Sequence, residues 1–218
     1  MSRERAEALA ASIHLDPAKP LLIVDADEVL FHFMAAFLSF IESRGHAFVF
    51  RSYALSGNVL AEADGPPLPR EAVTALLEAF FVERTREIPP DPDAAPALRR
   101  LIRDGVQAVV LSNVPSGAAD DRRHALEAAG IDLALVPWSG PKGEAVKALA
   151  ARTRGGAAFV DDIAQHHVSV AESAPDVYRL HYVTHPELRR LLGPVEAADD
   201  QAESWPALER LIRRRLLG

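Results

Sequence analysis

Short apolar runs recur along the chain, and most of them end directly in polar residues. Each run is continuous rather than alternating, which is typical of strands that are covered on both faces, as in a parallel sheet. In chain order the predicted strands are Leu21–Val24, Ala108–Leu111, Leu133–Val136 (a shorter candidate), Ala157–Val160 and Val177–Val183 (a weaker one).

Helical patterns alternate with these runs. This alternation favours a doubly wound α/β fold with a parallel sheet. A terminal helix from Trp205 to Leu217 and a helix near the N-terminus are interpreted as packing elements. The helices predicted between the strands are Ala94–Arg103, Ala119–Ala129, Glu144–Arg152 and Ile163–Ser173.

One long segment breaks the alternation. Two helical stretches, Phe31–Ser43 and Arg70–Arg86, flank an irregular segment from Gly45 to Pro69. This pattern predicts a helical insertion after the first strand. The predicted division is an α/β core of residues 1–29 and 91–218 and a helical unit of residues 30–90.

Composition narrows the possible chemistry. The chain has 218 residues, of which 49% are hydrophobic and 25% charged, and it has no cysteine. Zinc fingers, iron–sulfur clusters, disulfides and thiol catalysis are therefore excluded. The net charge is −7 and Arg213–Arg215 is the one basic triplet, so nucleic acid is a disfavoured partner. Because the sequence shows neither a signal peptide nor a membrane-spanning apolar run, we expect a cytoplasmic protein with no membrane partner.

Polar side chains follow three of the predicted strands at the point where each strand ends. Because ligands of open α/β sheets bind beyond the carboxyl ends of the strands, these side chains are predicted to form one site. Lys142, in a Gly-Pro-Lys-Gly segment before a predicted helix, is a candidate to join them. The strand-end residues are Asp25, Asp27, Ser112, Asn113, Asp161 and Asp162.

Placement at a strand end distinguishes these acids from similar patterns elsewhere. A second Asp-x-Asp, formed by Asp91 and Asp93, lies in a proline-rich turn with no strand before it. The acidic pair at 120–121 fits a helix start, where acids suit the dipole, and the pair at 199–200 lies in a polar loop. The pattern alone is therefore a weak signal.

Lysine use gives a further indication. Of 24 Lys and Arg residues, only Lys19, Lys142 and Lys147 are lysines. A compact ammonium suits the neutralisation of clustered carboxylates and phosphate. A solvated lysine at a helix start is the alternative for Lys142, and Lys19 is interpreted as solvated.

Together these groups can transfer a phosphoryl group. A carboxylate such as Asp25 can attack phosphorus and form an acyl phosphate, and Mg²⁺ held by Asp25 and Asp162 would screen the two anions. Asp27 can protonate the leaving oxygen and later take a proton from water. Ser112 can hydrogen-bond the phosphoryl oxygens, and Lys142 can offset the accumulated charge.

The motifs, in this order, resemble those of the haloacid dehalogenase-like superfamily, most of whose members are phosphatases. Its first motif, an apolar strand followed by Asp-x-Asp-x-Thr or Val, matches residues 21–29. The resemblance implies that Asp25 is the nucleophile and Asp27 the acid and base. It also implies a metal ion bound by the Asp25 side chain and the Asp27 carbonyl.

The other three motifs of the superfamily have counterparts too, so the resemblance spans residues 20 to about 185. Ser112, with Asn113 beside it, matches the phosphate-binding motif, and Lys142 matches the lysine motif better than Lys147, which lies within a predicted helix. In the acidic pair, the resemblance implies that Asp162 binds Mg²⁺ and that Asp161 supports the lysine or the metal site.

One position departs from the superfamily pattern. Asp or Asn often stands four residues after the metal-binding acid, where this chain has His166, followed by His167. We interpret both as part of a polar loop or helix start without a chemical role. A hydrogen bond from a neutral histidine, or a softer metal, is the alternative.

The insertion corresponds to the superfamily's C1-type cap, a mobile helical cover. Caps exclude water and select substrates. Arg51, Tyr53, Ser56 and Asn58 could face the site, although most of them are expected only to solvate a loop. His32 lies near the first motif, either at the entrance or as a partly buried helix residue.

These observations predict a Mg²⁺-dependent phosphatase that hydrolyses a small phosphorylated metabolite through an aspartyl-phosphate. A haloacid dehalogenase of the same fold is an alternative, but it needs neither metal nor an acid at Asp27. A phosphomutase and a non-catalytic binding protein are the others. The substrate and the oligomeric state are left open by the sequence.

Overall fold

A six-stranded parallel sheet forms the centre of the computed structural model, which describes residues 3–218. Its strand order is β5-β4-β1-β6-β7-β8, and a separate two-stranded antiparallel hairpin pairs β2 with β3. The strands are β1 (Leu21–Val24), β2 (Ala47–Phe48), β3 (Val59–Leu60), β4 (Gln107–Ser112), β5 (Ala134–Pro137), β6 (Ala157–Asp161), β7 (Tyr178–Tyr182) and β8 (Asp200–Ala202).

Helices cover both faces of the sheet. They are α1 (Arg3–Ser12), α2 (Phe33–Glu42), α3 (Arg70–Arg84), α4 (Ala94–Arg103), α5 (Ala119–Ala128), α6 (Gly143–Ala150), α7 (Ala164–Ser173), α8 (Pro186–Leu192) and α9 (Trp205–Leu216), with short 3₁₀ helices at Thr85–Glu87 and Ser116–Ala118.

Alternate side chains of β1 enter two separate cores. Leu22 and Val24 pack with residues of α4, α5 and α9, whereas Leu21 and Ile23 pack with residues of α1, α6 and α7. All four β1 side chains are fully buried, which explains why this strand is continuously apolar in the sequence. The predicted doubly wound α/β fold is confirmed.

The elements predicted from periodicity occur within two residues of their predicted ends, but three others were missed. The segment at 45–69, predicted to be irregular, contains the β2–β3 hairpin, whose two-residue strands are too short to show alternation. The pair 199–200, predicted to lie in a loop, includes Asp200, which begins β8. Because β8 is an edge strand paired only with β7, it needs no apolar run. The third missed element is the helix α8.

The insertion leaves and rejoins the core at adjacent positions. The His32 amide donates to the Pro89 carbonyl at 2.8 Å, and the Asp91 amide donates to the Leu30 carbonyl at 2.8 Å. Within the insertion, aromatic rings on α2 and α3 pack together, for example Phe37 on Phe80 with centroids 5.4 Å apart. The division at residues 30 and 90 stays a prediction.

Among the helices of residues 3–218, none combines the length and the apolar character that a membrane crossing requires.

Candidate active site

Three neighbouring strands bring the predicted site residues together. β1 lies between β4 and β6, so the carboxyl ends of these strands meet at one edge of the sheet. Asp25 continues β1 by donating its amide to the Val160 carbonyl at 2.9 Å. Ser112 ends β4 and Asp161 ends β6.

Lys142 is buried between two carboxylates instead of being solvated. Its Nζ lies 2.6 Å from Asp25 Oδ1 and 2.7 Å from Asp161 Oδ2, and the side chain is fully buried. Burial by itself would lower the pKa of Lys142, but the two carboxylates outweigh it and raise that pKa. The ammonium therefore stays charged and holds the two acids together.

Gly143 explains how α6 can carry Lys142 so close to the sheet. A Cβ atom at this position would overlap the Ser169 carbonyl oxygen on α7. The Gly143 amide instead donates to Ser169 Oγ at 3.0 Å. A side chain here would push α6 from α7 and displace the lysine that precedes it.

Asp161 has partners on both carboxylate oxygens. Oδ2 bonds to Lys142, while Oδ1 accepts hydrogen bonds from the Ile163 amide at 2.8 Å and from His166 Nδ1 at 3.0 Å. Burial opposes ionisation, but Lys142 and then His166 lower the pKa of Asp161 below its usual range. Asp161 is thus suited to fixing Lys142.

Asp162 is in the opposite situation. Its Oδ1 is buried with no hydrogen-bond partner among the described residues, and its Oδ2 accepts a short hydrogen bond from the Tyr53 hydroxyl. Burial, followed by the charges of Asp161 and Asp25, raises the pKa of Asp162 well above its usual range. A buried carboxylate of this kind requires a cation to be stable in its charged form.

The acidic residues fit a divalent metal ion. One oxygen each from Asp25, Asp161 and Asp162 can be chosen so that all three lie within 4.8 Å of one another. Burial raises the pKa of Asp25 to about 6. Lys142 opposes this shift, and the negative charges of Asp161 and Asp27 add to it. A hard cation such as Mg²⁺ prefers these oxygen ligands and would relieve their repulsion. Since Asp161 is already bonded on both oxygens, Asp25 and Asp162 are the residues best placed to hold the ion.

Asp27 is paired with an arginine that the sequence analysis missed. Arg122 Nη2 lies 2.5 Å from Asp27 Oδ1, and the guanidinium is fully buried over the Phe31 ring. Its Nε and Nη1 have no hydrogen-bond partner within residues 3–218. One sequence signal was present: on α5, Arg122 shares the buried stripe of Ala125 and Leu126, three and four positions later.

Ser112 and Asn113 differ in exposure. Ser112 is fully buried, and its Oγ accepts a 3.3 Å hydrogen bond from the Val114 amide. Asn113 is exposed, lines the cavity above the site, and donates from its side-chain amide to the Gly140 carbonyl at 3.1 Å. Their predicted phosphate-binding roles stay predictions, with Asn113 the more accessible of the two.

Glu28, also missed from the sequence, anchors the insertion to the core. It is the one non-glycine residue of 3–218 with a positive φ, 57°, a conformation that costs about 1 kcal/mol or more. Its buried carboxylate accepts hydrogen bonds from the Met34 amide, the Thr184 hydroxyl and the His185 amide at 2.5, 2.7 and 2.9 Å. These bonds tie the start of α2 to the loop after β7.

The histidines after the acidic pair are not in a polar loop. His166 and His167 lie in the first turns of α7 and are buried. His166 supports Asp161, as described above, and His167 Nε2 lies 3.0 Å from the Asp161 carbonyl oxygen. They thus lie at a helix start, one of the two locations predicted for them, and their buried rings hold the side chain and backbone of Asp161, as in the alternative in which a neutral histidine forms a hydrogen bond.

Of the four polar candidates on the insertion, the structure brings one to the site. Tyr53 reaches Asp162, while Arg51 and Ser56 are exposed. Asn58 is buried, and its side-chain amide donates to the carbonyls of Ser52 and Ala54 within its own loop. His32 is half-buried outside the cavity lining, and Lys19 and Lys147 are exposed.

A cavity of about 280 Å³ lies above the strand ends. We call its carboxylate residues, Asp25, Asp27, Glu28 and Asp162, the acidic floor. The apolar wall consists of the insertion residues Phe33, Met34, Leu55, Leu77 and Phe81. Ser112, Lys142 and Asp161 lie behind the acidic floor, fully buried.

Solved structures of other proteins share this architecture at low sequence identity. A HAD family hydrolase from Deinococcus radiodurans R1, with bound phosphate and sodium, matches with a TM-score of 0.58 and 18% identity over 91% of this chain and 96% of that one. A dehalogenase matches with a TM-score of 0.54 and 13% identity over 90% and 98% of the two chains. CbbY from Rhodobacter sphaeroides, in complex with phosphate, matches with a TM-score of 0.52 and 16% identity over 87% of this chain and 96% of that one.

No protein-family model and no curated protein sequence matches the chain. At identities of 13–18%, the structural likeness establishes the fold and leaves the reaction to be argued from the site.

Proposed function

From the haloacid dehalogenase-like fold of this chain, we propose that it is a Mg²⁺-dependent phosphomonoester phosphatase that uses Asp25 as its nucleophile. The observation that carries the proposal is the unequal pair Asp161 and Asp162. The first is saturated by Lys142 and His166, whereas the second keeps a buried, unpartnered oxygen beside Asp25. Bound by Asp25 and Asp162, Mg²⁺ would supply positive charge that screens the phosphate from the carboxylates.

In the first half of the reaction, an Asp25 carboxylate oxygen forms a bond to phosphorus and the bond from phosphorus to the leaving oxygen breaks. Lys142 offsets negative charge next to Asp25. Asp27 gives its proton to the leaving oxygen. Since Arg122 bonds to Oδ1 of Asp27, we assign the proton transfer to Oδ2.

In the second half, water attacks the phosphorus of the aspartyl-phosphate. Asp27 takes the water proton, the bond between Asp25 and phosphorus breaks, and inorganic phosphate leaves. Both carboxyl groups return to their starting state, so no external oxidant or reductant is needed. Arg122 stabilises the anion of Asp27 that accepts the proton.

The dehalogenase alternative makes different use of the same residues. Carbon–halogen hydrolysis at Asp25 requires neither a metal ion nor an acid at Asp27. It therefore does not use the unpartnered oxygen of Asp162 or the Arg122–Asp27 pair. These two features favour the phosphatase.

The test is product release by the purified protein with Mg²⁺. We expect inorganic phosphate from p-nitrophenyl phosphate and no chloride from 2-chloropropionate. Chloride release without phosphatase activity would establish the dehalogenase. Transfer of the phosphoryl group to a sugar in preference to water would establish a phosphomutase, and release of neither product would contradict enzymatic hydrolysis of either kind.

A further inference from the structure

The substrate cavity is apolar on the side that faces away from the strand ends. The apolar wall contributes four side chains from α2 and α3 besides Leu55, and the core adds Ile163 and Leu188. Of the insertion residues that line the cavity, Tyr53 alone is polar, and its hydroxyl already donates to Asp162. The wall therefore offers a leaving group apolar contact and few hydrogen bonds.

No cation is available for a second negative charge on the substrate. Among the 14 cavity-lining residues, all within residues 3–218, four are carboxylates and none is Lys or Arg. The one histidine of the lining, His166, already bonds to the Asp161 carboxylate through Nδ1. Lys142 and Arg122 are buried behind the lining and paired with acids of the site. A carboxylate or second phosphate on the leaving group would lose hydration without gaining an ion pair, and it would face the acidic floor.

The arginines of the insertion do not supply that cation either. Arg44, Arg84 and Arg86 pair with Glu83, Glu87 and Asp121, and none of them lines the cavity. Arg51 and Arg70 are exposed outside the cavity lining. The charge distribution of the insertion thus matches an uncharged leaving group.

The volume limits the size of that group. An apolar cavity of about 150 Å³ is sufficient for a benzene ring, and this cavity has about 280 Å³ for the ring and the phosphoryl group together. Nucleotides and disaccharide phosphates are larger than this space, so part of such a leaving group would extend beyond the lining residues and lose the contacts of the apolar wall.

On these grounds, and resting on the proposed phosphatase, we infer that the substrate is the phosphate monoester of a small, uncharged apolar alcohol, of the size of a phenyl, benzyl or short alkyl group. Esters whose leaving group carries a further anionic charge are disfavoured substrates.

A matched pair of esters tests this inference. 4-Methylbenzyl phosphate and 4-carboxybenzyl phosphate have leaving groups of similar size and differ in charge. With Mg²⁺, we expect kcat/KM to be at least about tenfold higher for the methyl ester. The carboxylate of the other ester would replace a buried apolar contact with a charge that has no partner in the cavity. Equal values, or a higher value for the carboxyl ester, would overturn the inference and leave the phosphatase intact.

Binding measurements distinguish the inference about the apolar substrate from the proposed phosphatase activity. The matching benzylphosphonates cannot be hydrolysed, and their affinities can be measured by titration calorimetry with Mg²⁺. A preference of about tenfold or more for the methyl compound, with no hydrolysis of either ester, would contradict the phosphatase and support the apolar cavity. Equal affinities would overturn the inference even if both esters were hydrolysed.

Two variants on α3 place the same charge inside and outside the cavity. Leu77→Lys puts an ammonium in the apolar wall, and we expect it to shift the substrate ratio toward the carboxyl ester by about tenfold. Val82 is 76% exposed on the same helix, so Val82→Lys is the matched control and should leave the ratio unchanged. Equal shifts in the two variants, or no shift in Leu77→Lys, would show that the wall does not contact the leaving group.

Discussion

The acidic floor and the apolar wall of the cavity are built on opposite principles. In and behind the floor, Asp25, Asp161 and Lys142 balance one another's charges in a buried cluster. In the wall, Phe33 and Phe81 belong to a cluster of aromatic rings that contains no ionisable group. Changes to the floor alter the stability of charges that form during the reaction, whereas changes to the wall alter which leaving group fits. The floor is thus expected to control rate and metal binding, and the wall selectivity.

The largest effect should come from the proposed nucleophile in the acidic floor. Asp25→Asn keeps the shape but removes the attacking carboxylate, so we expect phosphate release to fall by roughly a thousandfold or more, about 4 kcal/mol of transition-state stabilisation. Asp93→Asn is the control, because it changes an exposed carboxylate in the other Asp-x-Asp pattern. Wild-type rates in Asp25→Asn would rule out covalent catalysis at this residue.

The second effect separates the two halves of the reaction. Asp27→Asn removes the proton donor, so alkyl phosphates, whose leaving groups need protonation, should be slowed by about 10²-fold or more. In kcat/KM, which reports formation of the aspartyl-phosphate, p-nitrophenyl phosphate should be slowed much less because its leaving group is good. In kcat both substrates should be slowed, because Asp27 also takes the water proton in the second half. Equal loss of kcat/KM on the two substrates would remove Asp27 from the leaving-group role.

The third effect concerns metal binding. Asp162→Ala removes the oxygen that has no other partner, so the Mg²⁺ concentration required for half-maximal activity should rise by about 10- to 100-fold. Added Mg²⁺ should partly restore the rate. We expect added Mg²⁺ to raise the thermal unfolding temperature of the wild type, and to raise that of this variant by less. Asp132→Ala, at an exposed aspartate, controls for loss of a surface charge; identical Mg²⁺ dependence in both variants would argue against Asp162 as a ligand.

The smallest effect in the floor should come from the positioning residue Arg122. Arg122→Met removes the hydrogen bond that orients Asp27, so we expect a loss of about tenfold on alkyl phosphates and a smaller loss on p-nitrophenyl phosphate. The unfolding temperature should also fall, because the mostly buried Asp27 carboxylate loses the cation that pairs with it. Arg123→Met, which changes the exposed neighbouring arginine, is the matched control. A large drop in unfolding temperature with no change in the substrate ratio would mark Arg122 as purely structural.

The acidic floor was more predictable from the sequence than the apolar wall. Asp25 and Asp162 in the floor, and Ser112 and Asp161 behind it, lie at the ends of strands whose apolar runs are continuous, and parallel strands bring their carboxyl ends together. The wall depends on how α2 and α3 pack on each other, and helix periodicity does not specify that packing. Tyr53 contacts Asp162 because of where its loop places it, and Glu28 reaches its partners from a backbone with positive φ. Neither feature produces a pattern in the sequence.

Trapping the proposed covalent intermediate tests the central claim most directly. The wild-type protein would be mixed with p-nitrophenyl phosphate and Mg²⁺, quenched in acid, reduced with borohydride and digested for mass spectrometry. Borohydride converts an aspartyl-phosphate to homoserine, so catalysis by Asp25 predicts homoserine at position 25 in the wild type and none in Asp25→Asn or without substrate. Steady phosphate release with no modification at position 25, or with modification at another carboxylate, would contradict it.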